Sequence, residues 1–100
     1  MRTYWITFRI ADHGNYQARY DALHLAIHER TDKVWEESSS FILFRSEHTI
    51  DQLASAVERA LDTDIDVALI GMTEVKSARI VGDWSDPDLT ELIPFVQNPS

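Results

Sequence analysis

The sequence contains no cysteine, so a disulfide bond, a thiolate metal site and a cysteine nucleophile are all excluded. Glycine and proline are scarce, with three residues of each, which argues against both a disordered chain and a collagen-like repeat. No apolar run approaches the roughly 18 residues that a membrane-spanning helix needs, and no signal peptide is visible after Met1. We therefore predict a soluble, cytoplasmic protein with no membrane partner.

Positive charge is also in short supply. Nine Lys and Arg residues stand against 17 Asp and Glu residues, which gives a formal net charge of -8. A protein that binds nucleic acid irrespective of sequence normally needs an excess of cations to displace the counterions of the phosphates. The acidic balance therefore disfavours nucleic acid as a partner.

Apolar residues, by contrast, are present in sufficient number to form a core. They make up 44% of a chain of 100 residues, which is a common size for one domain. Periodicity predicts a strand, a helix, two strands, a helix and a strand, in that order. The predicted ranges are 3–10, 16–29, 33–37, 41–46, 50–61 and 66–73.

Local signals support several of these boundaries. Asn15 is a plausible N-cap for the first helix, and Thr49 with Gln52 matches the capping box of the second. The three serines at 38–40 predict a hairpin turn, although one longer kinked strand is the alternative because no Gly or Asn is present. Beyond these elements, residues 78–81 suggest a short fifth strand, and 87–93 a short helix that starts with Asp-Pro.

This order of elements predicts an α+β fold, a two-layer sandwich of the ferredoxin-like βαββαβ type with an antiparallel sheet. Right-handed crossovers would place the first and third strands in the middle of the sheet. We expect one domain over residues 1–100, with its core at about 3–74 and a C-terminal extension at about 75–100.

The helices of such a fold cover only one face of the sheet, yet the strands are apolar on both faces. An uncovered apolar face is an association site, which predicts a two-fold homodimer. The residues expected at its interface are Trp5, Thr7, Arg9, Leu43 and Leu69. The alternative is that the C-terminal end covers this face with Trp84, Leu89, Leu92 and Phe95.

Candidate chemistry is sparse. Asp12 and His13 follow the first strand and could move protons, and Asp12 could hold a metal, but loop residues so placed can equally be solvated surface polarity. His24 and His28 lie one helical turn apart with Asp21 nearby, a spacing that can bind a divalent ion and that also fits histidines at the edge of a core.

Glu36 and Glu37 adjoin on a predicted strand, so their side chains should point to opposite faces of the sheet. They therefore cannot act as one paired-carboxylate site. No cofactor-binding motif is recognised in the sequence.

Three stretches carry a resemblance to known proteins: the first strand, Tyr20-Asp21-Ala22-Leu23 and Ser39-Ser40-Phe41-Ile42-Leu43. They resemble the SinR-like proteins, which look related to the CRISPR-associated Cas-two endoribonucleases and the virulence-associated D toxins. Gly82-Asp83-Trp84 is similar to a Gly-Asp-Trp near the end of the same group. The resemblance implies a ferredoxin-like fold, a homodimer formed across the sheets and, in some relatives, metal-dependent nuclease activity.

The nuclease members of that group end the first strand with a Tyr-Asp pair, whose Asp holds a divalent metal together with its copy across the dimer. The matching pair here is Phe8-Arg9, and an arginine cannot ligate Mg. We therefore expect a non-catalytic or degenerate relative with no firmly implied cofactor. The alternatives are a metal-dependent endoribonuclease or nucleic-acid-binding dimer, using Mg or Mn through Asp12, and a small-molecule-binding module.

Overall fold

The computed structural model describes residues 1–73, 78–80 and 85–97. Their elements are β1 Arg2–Arg9, α1 Tyr16–His28, β2 Lys33–Trp35, β3 Phe41–Ser46, α2 Ile50–Ala60, β4 Val67–Met72, β5 Ala78–Arg79, α3 Asp88–Leu92 and β6 Val96–Gln97. The first four strands form one antiparallel sheet in the order β2-β3-β1-β4. β1 and β3 lie in the middle, which confirms the expectation from right-handed crossovers. The protein is therefore an α+β structure built on a four-stranded antiparallel sheet.

The main core lies between this sheet and the helices α1 and α2. Tyr4, Ile6 and Phe8 alternate along β1 and point toward the helices, where they meet Leu23 of α1 and Leu53 of α2. The capping box that begins α2 is formed as predicted, with backbone and side-chain bonds in both directions. The apolar faces predicted from strand and helix periodicity thus pack against one another in one buried layer.

β2 and β3 form the predicted hairpin, so the alternative of one kinked strand is wrong. Trp35 pairs with Leu43 across the two strands. Ser40 adopts a φ of 56°, the left-handed conformation that usually falls to glycine or asparagine. Because a serine takes this conformation, the turn had no strong signature in the sequence.

The C-terminal segment lies on the face of the sheet that α1 and α2 leave free. Leu89 and Leu92 of α3 are buried there against Trp35 and Leu43. The strand predicted at 78–81 is present as β5, but β5 pairs in parallel with β6 and does not join the main sheet; residue 81 lies outside the described residues. No strand was predicted at the position of β6.

Polar contacts from Lys33 and Glu37 attach this segment to the hairpin. Lys33 forms an ion pair with Glu91 and approaches Asp88 at 3.5 Å. The carboxylate of Glu37 accepts a hydrogen bond from the backbone N–H of Ser85 at 2.9 Å, and this bond holds the pKa of Glu37 below its usual value. The C-terminal segment is therefore attached by its charges as well as by its leucines.

The face that carries α3 divides into two halves. Leu43 is only 2% exposed because α3 lies on it, so the chain itself covers this predicted interface residue, as the alternative of a folded-back end requires. On the strands β1 and β4, Leu69 remains 60% exposed and Val67 52% exposed. We call the exposed group Thr7, Arg9, Val67 and Leu69 the open half. Trp84, also expected to cover the face, lies outside the described residues.

Across residues 1–73, 78–80 and 85–97, every helix is too short or too polar to traverse a bilayer.

Between the two halves, the indole of Trp5 lies over Gly71 of β4. A Cβ atom at position 71 would stand 2.4 Å from Cζ2 of Trp5, far inside van der Waals contact. We expect Gly71→Ala to lower the free energy of unfolding by about 1–3 kcal/mol, since overpacking displaces either the ring or the strand. Urea unfolding measures this loss.

The matched control is the same substitution in a Trp5→Leu background, where the smaller side chain leaves room for the methyl group. There we expect less than half of the loss. If Gly71→Ala lowers the free energy of unfolding equally in both backgrounds, the indole of Trp5 is not the reason for a glycine at position 71.

Candidate functional site

The loop between β1 and α1 carries two of the residues predicted as candidates for proton transfer or metal binding. Asp12 and His13 are both exposed there. Among the described residues, neither belongs to a group of three side chains that could share a metal ion. Among the residues that the structure describes, it therefore does not bring a group of metal ligands together at Asp12 and His13.

A buried ion pair that the sequence did not indicate is hydrogen-bonded to the backbone of this loop. Arg19 of α1 is 5% exposed and Asp66, just before β4, is 9% exposed. The guanidinium of Arg19 bonds the Asp66 carboxylate through Nη1. Its Nη2 donates to the carbonyl oxygens of Ala11 at 3.1 Å and His13 at 2.5 Å. The cation thus sets the path of the loop backbone.

Asp66 is a second organising point of the same network. Its carboxylate accepts the backbone N–H of Ala11 at 2.9 Å and that of Asp62 at 2.9 Å. Burial raises the pKa of Asp66, but the bond from Arg19 and these two backbone bonds outweigh it, so the pKa lies below its usual value. The carboxylate stays ionised, and both of its oxygens are already engaged.

The same cation changes the role of Asn15. Asn15 precedes α1 at the predicted cap position, but its side chain makes no capping bond to the helix backbone. Its Oδ1 instead accepts a hydrogen bond from Nε of Arg19 at 3.0 Å. The predicted position is right and the predicted role is wrong, because a buried guanidinium competes for the oxygen.

At the end of β1, Phe8 and Arg9 point to opposite faces of the sheet. Phe8 is buried under α1, whereas Arg9 is exposed in the open half and lies beside Val67 of β4. The two strands enclose a shallow depression of about 200 Å³, lined in part by Thr7 and Leu69. The predicted interface residues Thr7, Arg9 and Leu69 are thus brought together on one exposed apolar surface that contains a cation.

The histidines of α1 meet a partner other than the predicted one. Asp21 is exposed and accepts a hydrogen bond from Gln17 at 2.9 Å. The carboxylate beside His24 and His28 belongs to Glu36, at the end of β2. β2 ends at Trp35, so the prediction that Glu36 and Glu37 lie on this strand is wrong. The two carboxylates nevertheless face opposite ways, because Glu36 contacts the histidines of α1 and Glu37 contacts Ser85 of the C-terminal segment.

A wider cleft of about 670 Å³ lies at the opposite end of β1 from Arg9. It forms where the C-terminal segment passes the ends of β1 and β4. Its lining consists of Arg2, Thr3, Met72, Thr73, Leu92, Pro94 and Phe95.

No protein-family model matches the chain, and no curated protein matches it either. A crystal structure of a hypothetical protein, TT1823 from Thermus thermophilus, is similar to this chain with a TM-score of 0.55. The similarity covers 74% of this chain and 83% of that chain, at 20% sequence identity. At 20% identity, the similarity shows a shared fold alone.

The buried ion pair generates a prediction for stability and its pH dependence. Asp66→Asn leaves the Arg19 cation buried without its counter-charge, which should lower the free energy of unfolding by roughly 3–5 kcal/mol at neutral pH. Because the pKa of Asp66 is lower in the folded than in the unfolded state, its stabilisation is complete above the unfolded pKa and is lost as pH falls through the folded one.

The difference in stability between wild type and Asp66→Asn should therefore shrink as the pH is lowered below about 4. Urea unfolding at a series of pH values measures it. Asp12→Asn, at an exposed carboxylate of the same loop, serves as the control. A loss at neutral pH no larger than that of the control would contradict the assigned role of the pair.

Proposed function

We propose that the chain is a homodimeric, ferredoxin-like protein without nuclease activity, a degenerate relative of the SinR-like group. The observation that carries the proposal is the open half, where apolar side chains of β4 stand exposed around Arg9. Arg9 occupies the position at which the nuclease members of that group carry their metal-binding Asp.

The element order and the sheet support the ferredoxin-like assignment. The strands run antiparallel in the order β2-β3-β1-β4, and α1 and α2 pack on one face. The βαββαβ arrangement of the ferredoxin-like class has this strand order.

The occupant we propose for the open half is a second copy of the chain. β4 is an edge strand, and edge strands with exposed apolar side chains are templates for pairing. A two-fold axis would place Leu69 and Val67 of one copy against the same apolar surface of the other, so one contact covers both. Nucleic acid suits this surface poorly, because Arg9 is the one charged residue of the open half and the net charge is -8.

The absence of nuclease activity in the proposal rests on the charges around the end of β1. A metal nuclease needs carboxylates that converge on a shared ion. Arg9 offers a cation instead, and the buried carboxylate of Asp66 is engaged by Arg19 and two backbone N–H groups. Asp12 is exposed and belongs to no group of potential ligands among the described residues.

A second candidate function is the binding of a small molecule. The cleft lined by Arg2, Thr3 and Phe95 has a volume of about 670 Å³. This volume falls within the range of ligand pockets, and the cleft combines apolar walls with a cation and a hydroxyl.

The dimer can be tested with two matched leucines. Leu69 is 60% exposed on β4 and Leu25 is 58% exposed on α1, so neither supports the core of the monomer. We expect light scattering at micromolar concentration to give about twice the chain mass of 11.5 kDa for wild type and Leu25→Glu. Leu69→Glu should give the mass of one chain, because it places a charge in an apolar interface.

A monomeric wild type would end the homodimer proposal. Loss of the dimer in Leu25→Glu, with Leu69→Glu still dimeric, would move the interface to α1.

Catalysis is tested by incubating RNA with the purified protein and Mg or Mn. We expect no cleavage above the buffer control, because the end of β1 presents a cation where a metal nuclease needs carboxylates. Gel electrophoresis of labelled RNA reports the result. Cleavage by wild type that disappears in Asp12→Ala would contradict the proposal and establish the endoribonuclease alternative.

A further inference from the structure

Three potential metal ligands converge at the edge of the sheet opposite to β4. His24 and His28 stand on successive turns of α1, with rings 6.4 Å apart and nearly parallel, and Glu36 follows the edge strand β2. One ligand atom from each side chain lies within 4.8 Å of the other two. All three side chains can donate an electron pair to a metal ion. Together they connect α1 to the edge of the sheet at β2.

Two of the three distances between ligand atoms in this group match those around a single ion, and the third is within 4.8 Å. Oε2 of Glu36 lies 3.4 Å from Nδ1 of His24 and 3.1 Å from Nε2 of His28. Tetrahedral zinc, with bonds of about 2.05 Å, separates neighbouring ligand atoms by about 3.3 Å. An ion could thus be accommodated with small adjustments of three side chains.

The surroundings hold the imidazole of His24 in place. Its ring packs against Tyr20 at 4.4 Å and edge-to-face against Phe8 at 5.9 Å. Its Nε2 is buried with no hydrogen-bond partner among the described residues. The nitrogen left for a ligand is therefore Nδ1, which is the one that faces Glu36.

The outer side of the group is open to water. The side chains of His28 and Glu36 are 42% and 37% exposed, against 23% for His24. A set of two imidazoles and one carboxylate, with solvent at the remaining position, is a known pattern for zinc. Imidazole nitrogens favour zinc over magnesium or calcium, which prefer oxygen ligands.

We propose that His24, His28 and Glu36 bind one Zn²⁺ ion, with water as the fourth ligand. The bound ion joins α1 to the end of β2. In the structure, the carboxylate of Glu36 is hydrogen-bonded to Nε2 of His28 at 3.1 and 3.2 Å and lies 3.4 Å from Nδ1 of His24. This site is separate from the open half, so it stands or falls independently of the homodimer.

Isothermal titration calorimetry of the untagged, metal-free chain with Zn²⁺ tests the proposal. We expect one ion per chain for wild type, and at least about tenfold weaker binding for His28→Gln and for Glu36→Gln, each of which removes a ligand. His48→Gln is the matched control, because His48 belongs to no such group among the described residues. Its affinity should equal that of wild type.

Two further readouts separate this site from scattered surface binding. Co²⁺ should give the visible absorption of a tetrahedral ion with wild type and His48→Gln, and not with Glu36→Gln. Zn²⁺ should raise the melting temperature of wild type but not of His28→Gln, whose exposed position leaves the fold intact. Absence of stoichiometric binding, or equal affinities for wild type and Glu36→Gln, would overturn the proposal.

Discussion

The ion pair between Arg19 and Asp66 organises one whole end of the molecule. It is buried, and every oxygen and most nitrogens of the pair are bonded to backbone or to Asn15. Through these bonds α1, the loop after β1 and the start of β4 become one unit. Charges taken out of water tolerate burial only when paired in this way, so the position of the loop follows from the pair.

Around that unit, the two faces of the sheet are covered unequally, and the two proposed functional surfaces lie at its opposite edges. α1 and α2 pack on one face, where Ala68 and Ile70 of β4 stay partly exposed, whereas α3 covers the other face over β2, β3 and Trp5 of β1. The open half lies on β1 and β4, and the histidine cluster lies beside β2 on the helical side. Because β4 and β2 are opposite edges, a subunit contact at one and a metal ion at the other would not compete for space.

Much of the fold could be predicted from the chain, since most of its signals are local. Alternation placed Tyr4, Ile6 and Phe8 on the buried face, and the capping box located the start of α2. The predicted opposite orientation of Glu36 and Glu37 is right, although both residues follow β2 rather than lie on it. The conformation of Ser40 and the pairing of β5 with β6 were harder to predict. A serine in a left-handed conformation and a parallel pair of two residues have almost no recognisable pattern in the sequence.

The sequence by itself determined the periodic elements, their order and the presence of apolar residues on both faces of the sheet. Only the tertiary structure decided that α3 covers Leu43 but not Leu69, that Arg19 reaches Asp66, and that Glu36 rather than Asp21 meets the two histidines. The reason is physical: periodicity records which side of an element is buried, and it carries no information about which distant residue lies opposite. Such partners are selected when the elements pack and every buried charge must be matched.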